Sequence, residues 1–135
     1  MTIPFDHEKL RTYQRALDFV DFAGVLLETL PKGLAAYAQL DRASTSIPLN
    51  IAEGNGKFSS RDRCRFFDIS RGSALECAAV LDVLVRRKKV DQKLTDEGKV
   101  ILVEVVSLLV GLIRSQDTER VYEEQAGYGD GVLGD

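Results

Sequence analysis

The residues best equipped for chemistry are carboxylates: Glu53, Asp68, Glu76 and Asp82, which helical spacing lets facing helices bring together. Helical bundles build di-metal centres from such acids, but those centres use a Glu-x-x-His motif. The single histidine, His7, lies near the start of the chain. No His-based triad can form, and Ser46 or Ser73 as a nucleophile would have no histidine base. Two cysteines and one histidine at these spacings match no zinc signature. Cys64 and Cys77 lie 13 residues apart in one expected helix. That is about 20 Å, too far for a disulfide, so both are read as reduced, structural thiols. Gly54-Asn55-Gly56-Lys57 follows a helix rather than a strand and lacks the remaining residues of a phosphate loop. The expectation is no catalytic, metal or cofactor site and a non-enzymatic protein. The alternative is a small-molecule-binding or hydrolytic bundle in which Glu53 and Glu76 converge in a pocket with raised pKa values.

The least generic stretch runs from Gln39 to Gly56. At roughly 100° per residue, Leu40, Ala43, Ile47 and Ile51 form one helical stripe, and Gln39, Arg42, Ser46, Asn50 and Glu53 form an adjoining one. Polar groups beside a core face are costly to bury unless they satisfy one another. Arg42, Ser46, Asn50 and Glu53 are therefore expected to hydrogen-bond with Ser73 and Glu76 of the next helix or across a subunit boundary.

The runs QLDRASTSIPLNIAEGNGK and DRCRFFDISRGSALECAAVLD, preceded by LRTYQRALDF, carry a family resemblance over roughly residues 5 to 115. They resemble the four-helix bundle proteins first noticed as reading frames inside intervening sequences of 23S rRNA genes. The resemblance implies an up-and-down bundle that assembles into rings, often five-membered, with no established enzymatic activity. It also brings in a relative that serves a reverse transcriptase as an accessory protein and contacts nucleic acid. The expected partners are therefore the chain itself, as a pentamer, and RNA, DNA or a nucleic-acid-processing protein.

The pattern around these motifs predicts an all-α, antiparallel, up-and-down four-helix bundle over residues 1–115 and an acidic, glycine-rich, disordered tail over 116–135. Asp6 is expected to cap a first helix running to about Leu30, with Leu10, Tyr13, Leu17, Val20, Gly24 and Leu27 inward and Phe19, Phe22, Ala23 and Leu26 widening the stripe. Pro31-Lys32-Gly33 breaks the chain. The second helix spans about Leu34 to Glu53, kinked or broken at Pro48 and ended by Gly54 and Gly56 in the left-handed conformation. Ser59 caps a third helix reaching about Lys89, with Phe66, Ser70, Ser73, Ala74, Cys77, Leu81 and Leu84 inward. A fourth runs from Leu94 or Thr95 to Arg114, with Leu94, Ile101, Val105, Leu108, Leu109 and Leu112 inward.

Two faces are left over. Gly72, Leu75, Ala79 and Val83 repeat on the outer side of the third helix, and Val103, Val106 and Val110 on that of the fourth. A helix that is apolar nearly all round needs cover all round, so these residues are the expected oligomer interface. Lys57, Arg61, Arg63 and Arg65 begin the third helix, and Arg86, Arg87, Lys88 and Lys89 end it; these are the candidate nucleic-acid contacts. The formal charge of −3 over 135 residues argues against binding through the overall field but permits a local patch. No apolar run is long enough to span a bilayer and no signal-peptide order opens the chain, so a cytoplasmic protein without membrane contact is expected.

Overall fold

A computed structural model of the chain describes the backbone of residues 4–126 and the side chains as far as Gln116. Four helices follow a 3₁₀ turn at Asp6–Lys9: α1 (Arg11–Glu28), α2 (Ala35–Asn55), α3 (Ser60–Arg86) and α4 (Gln92–Ala126). Each packs on its predecessor and α4 closes against α1, the arrangement of an up-and-down bundle. No strand occurs among the described residues.

The first helix starts later than expected. Asp6 does not cap α1; its carboxylate accepts a 2.9 Å hydrogen bond from Asn55 Nδ2 and ties the lead-in to the end of α2. Leu10 is extended and forms the N-cap position instead. His7 sits half-buried, its ring edge-on to Tyr13 at 4.7 Å. The buried stripe of α1 is Thr12, Ala16, Phe19, Ala23, Leu26 and Leu27, whereas Leu17 and Gly24 face outward. This chain offers two overlapping apolar registers, and the one containing Phe19 fills the core.

In α2, Leu40, Ala43, Ile47 and Ile51 are buried as their spacing requires, and the helix passes through Pro48 without a break. The proline leaves the Ser44 carbonyl without its helical donor. Carbonyls beside it gain side-chain donors: Ser46 O from Asn50 Nδ2 and Ile47 O from Ser70 Oγ, both at 2.8 Å. Gly54 does not end the helix. It is buried within α2, and a Cβ there would lie 2.9 Å from Phe66 Cβ and from the Phe67 ring. Gly56 is the C-cap, in a right-handed conformation at φ −86°. Glycine at 54 thus lets α3 close on α2.

Ser59 caps α3, its hydroxyl accepting from the Asp62 backbone N–H at 3.1 Å. Phe67 rather than Phe66 is the fully buried ring, joined by Ala74, Cys77, Leu81 and Leu84. Burial pushes the Cys77 thiol up to about 12, which keeps it protonated and unreactive. The helix stops at Arg86, short of Lys89. Lys88 adopts φ 58°, and the amides of Lys88 and Lys89 reach back to the carbonyls of Val85 and Leu84, both at 2.9 Å. This is the two-bond C-terminal motif that normally places glycine at the left-handed position.

The fourth helix differs at both ends. Thr95 is buried, its hydroxyl bonded to Gln92 O at 2.9 Å, and Leu94 faces solvent. Leu102, Val105 and Leu109 complete the core. The helix continues to Ala126, beyond the expected end at Arg114 and into the stretch read as tail; residues 127–135 lie outside the described residues. Gly98 receives the Phe22 ring where α1 and α4 approach closely.

Arg11 and Arg15 both bond Glu104 across α1 and α4, Arg15 Nε at 2.9 Å. The hydrogen bond from Arg15 lowers the Glu104 pKa, Arg11 adds to it, and desolvation opposes both. The folded pKa therefore lies below the unfolded one, so the stabilisation is present above the ordinary carboxylate range and disappears as pH falls through the depressed value. Glu104→Gln should lower Tm at neutral pH, with the difference from wild type vanishing in acid, as thermal melts across pH will read. Gly54→Ala should destabilise by roughly 1–3 kcal/mol in urea unfolding because the added methyl overpacks Phe66 and Phe67. Gly24→Ala, with nothing within 4 Å of the new methyl, should instead gain about 1 kcal/mol.

Candidate interaction surfaces

Polar residues meet along the seam between α2 and α3. Ser46 Oγ accepts from Ser73 Oγ at 2.8 Å and from Asn50 Nδ2 at 2.9 Å, which joins three of the six predicted network residues. One turn along, Arg42 Nη2 pairs with Glu76 Oε2 at 3.2 Å on the surface. Glu53 stands apart from this group and pairs with Lys57 at 3.8 Å. Ser70, assigned by its spacing only to the core face, donates its buried hydroxyl to Ile47 O. Its signal in the sequence is its place opposite Pro48 in the helix pairing.

These contacts run antiparallel, with Arg42 opposite Glu76, Ser46 opposite Ser73, and Gly54 opposite Phe66. Glu53 and Glu76 are therefore separated by about ten residues of helix, roughly 15 Å along the bundle axis. They do not converge, and neither lines any of the three clefts that open around the turn between α3 and α4. Among the described residues no group of three or more histidine, cysteine or acidic side chains is placed to hold a metal ion, and no helix is long and apolar enough to cross a membrane.

The expected interface residues separate by exposure. Gly72, Leu75, Ala79 and Val83 of α3 all face outward, Leu75 and Val83 at 50% and 48%. On α4, Val103 is 66% exposed, whereas Val106 and Val110 are half-buried and Val106 packs against the core. Val100, absent from the predicted set, is 64% exposed. The ion pair of Asp82 with Lys99 and the 3.8 Å contact of Cys64 Sγ with Ile113 O fix the α3–α4 register. In that register Leu75, Ala79, Val103 and Val106 flank one outer groove, with the ion pair toward one end.

The two basic clusters lie at opposite ends of α3, about 40 Å apart along 27 residues. At the α2–α3 end, Lys57 and Arg65 lie over the Phe66 ring at 4.9 and 5.2 Å. Arg63 donates to Lys57 O and Gln116 Oε1, and Arg61 is engaged as well. Phe58 projects fully into solvent at this end. At the other end, none of Arg86, Arg87, Lys88 and Lys89 makes a side-chain hydrogen bond or ion pair among the described residues. The eight candidate contacts therefore cannot act as one patch.

The model of the 23S rRNA-intervening sequence protein family matches residues 8–111, which takes in all of α1, α2 and α3 and α4 as far as Gly111. The chain belongs to that family. Its fold is similar to the crystal structure of a protein of unknown function from the S23 ribosomal protein family of Bacteroides thetaiotaomicron, with a TM-score of 0.72 and 24% identity over 76% of this chain and 97% of that one. No curated protein matches the sequence.

Ser70→Ala and Ser73→Ala should each cost about 1 kcal/mol in urea unfolding, since each removes one hydroxyl bond across the α2–α3 seam. Glu76→Gln, which weakens only a surface ion pair, should stay within about 0.5 kcal/mol of wild type.

Proposed function

We propose that this family member is a non-enzymatic, self-assembling bundle of the cytoplasm, which works as an assembly or adaptor module. The observation that carries this reading is the apolar residues on the outer side of α3 and α4, where Leu75, Val83, Val100 and Val103 remain in water in the single chain. Small residues at 72 and 79 let a second helix approach closely, and no Cβ added at Gly72 would meet another atom of its own chain. Exposed apolar residues gathered on two adjoining helices mark a protein interface. Its occupant is a second copy of the chain, and the family resemblance supports a ring of five.

The polar seam supports a structural role: Ser46, Asn50 and Ser73 satisfy one another. The carboxylates needed for a hydrolytic site are spread along the bundle. Partners beyond the chain itself are read as RNA, DNA or a nucleic-acid-processing protein, on the strength of Arg86, Arg87, Lys88 and Lys89, which have no partner among the described residues.

Native mass spectrometry tests self-assembly directly. The wild type should give a single closed oligomer, and Val103→Glu or Leu75→Glu should give monomer with unchanged helical circular dichroism, because both side chains are already exposed in the single chain. A monomeric wild type, or an oligomer indifferent to both substitutions, would remove this assignment.

A further inference from the structure

Ion pairing absorbs most of the cations along the body of the bundle. Arg11 and Arg15 bind Glu104, Arg42 binds Glu76, Arg71 binds Asp68, and Lys99 binds Asp82. The turn from α3 to α4 is different. Arg86, Arg87, Lys88 and Lys89 are consecutive, exposed and unpaired among the described residues. Lys32, in the α1–α2 turn, and Lys93, in the first turn of α4, lie at the same end. The acids there are Glu28, Asp91, Asp96 and Glu97, with Asp82 already held by Lys99.

Three clefts open around this one turn. The largest, of about 750 Å³, is bordered by Arg86, Arg87, Gln92 and Lys99. A shallower one is bordered by Lys88, Lys89 and Asp91, and a third places Arg87 and Lys89 beside the start of α2. The helix C-terminus alone explains a cation in its last turn. It does not explain Lys88, which holds the left-handed position that glycine would occupy at lower cost.

We infer that the α3–α4 turn binds the phosphate backbone of double-stranded nucleic acid without reading its sequence. The inference rests on the nucleic-acid part of the functional reading and is independent of self-assembly. Protein interfaces are anchored by buried aromatic or apolar side chains. This turn offers cations around open clefts, with Val85 and Val90 only half-buried. Single-strand binders add aromatic stacking platforms. Among the described residues the fully exposed ring, Phe58, lies at the opposite end of α3. Cations without stacking groups suit duplex phosphates, through counterion release.

The test is fluorescence anisotropy with short labelled duplex DNA, duplex RNA and the matching single strands across a salt series. Four phosphate contacts predict a log–log salt slope of about −3.6 per bound protomer and a loss of roughly 100-fold between 50 and 200 mM salt. Arg86→Gln/Arg87→Gln/Lys88→Gly/Lys89→Gln should lose both the binding and the slope; glycine suits the backbone at 88, and native mass and circular dichroism check assembly and fold separately. Lys57→Gln/Arg65→Gln, at the other end, should bind as wild type. DNA and RNA arms identify which duplex is preferred. The inference is overturned if wild type fails to bind either duplex at low salt or prefers single strands. It also falls if the Lys57 variant loses as much affinity as the turn variant, or if polyglutamate competes as well as duplex at equal charge.

Discussion

The structure depends on how closely α2 and α3 approach. Pro48 removes a backbone donor on the buried face of α2; the helix remains continuous, and the carbonyls on either side of Ile47's peptide accept side-chain bonds. Ser70 of α3 reaches the Ile47 carbonyl, and Asn50 reaches that of Ser46. Ser70 can do so only if α3 lies close, and Gly54 permits this by leaving room for Phe66 and Phe67. Proline, serine and glycine in this seam therefore form a single packing device spread over two helices. It fixes the register of α2 against α3, and that register places Ser46 beside Ser73 and Arg42 beside Glu76.

With α2 on one side of α3 and α4 on the other, the remaining surface of α3 must face outward. That surface carries Gly72, Leu75, Ala79 and Val83 among the exposed charges of Arg65, Asp68, Glu76, Asp82 and Arg86. The corresponding edge of α4 carries Val100 and Val103. By contrast, the α1–α4 seam presents Arg11, Arg15 and Glu104, groups that are content in water and need no further cover. Apolar exposure is thus heavier on α3 and α4 than at this seam, although Val25 of α1 and Leu49 of α2 are exposed as well. Exposed apolar residues scattered singly need no explanation, but residues aligned along adjoining helices do.

Much of this was legible from periodicity. The helix count, the buried stripe of α2 and the outward strip of α3 follow from residue spacing. Where the reading failed, two physical options competed. Gly54 sits near a helix end, where a glycine ordinarily signals a cap; its role in admitting Phe66 and Phe67 is visible only once α3 is placed. Phe66 and Phe67 are adjacent, and one residue of rotation decides which ring enters the core. In α1 the apolar residues outnumber what one face can bury, and buried Thr12 and Ala16 carry little hydrophobic signal. Thr95 looks unsuited to a core but satisfies its hydroxyl on its own helix. At the far end of α4 no glycine or proline falls between Gly111 and Gly127, and a run rich in glutamate, glutamine and arginine favours continuation. Loss of apolar periodicity there does not mark the end of the helix.

The overall charge of −3 conceals a strong separation of charge. Six of the 21 acids and one of the 18 cations lie beyond Gln116, which leaves 15 acids against 17 cations in the packed bundle. That bundle is slightly basic, and four consecutive cations without a partner among the described residues, Arg86 to Lys89, stand at the α3–α4 turn, whereas the acidic part of α4 extends from the other end. About 35 residues of helix, or roughly 50 Å, separate the first residue of α4 from Ala126. At physiological ionic strength the Debye length is about 8 Å, so acids at one end scarcely lower the potential at the other. Net charge is therefore a poor guide to what this protein attracts. In a cyclic assembly built on the α3–α4 groove, every subunit would present its basic turn toward the same rim. Weak contacts with a long polyanion would then add through multivalency, without any strong site in one subunit.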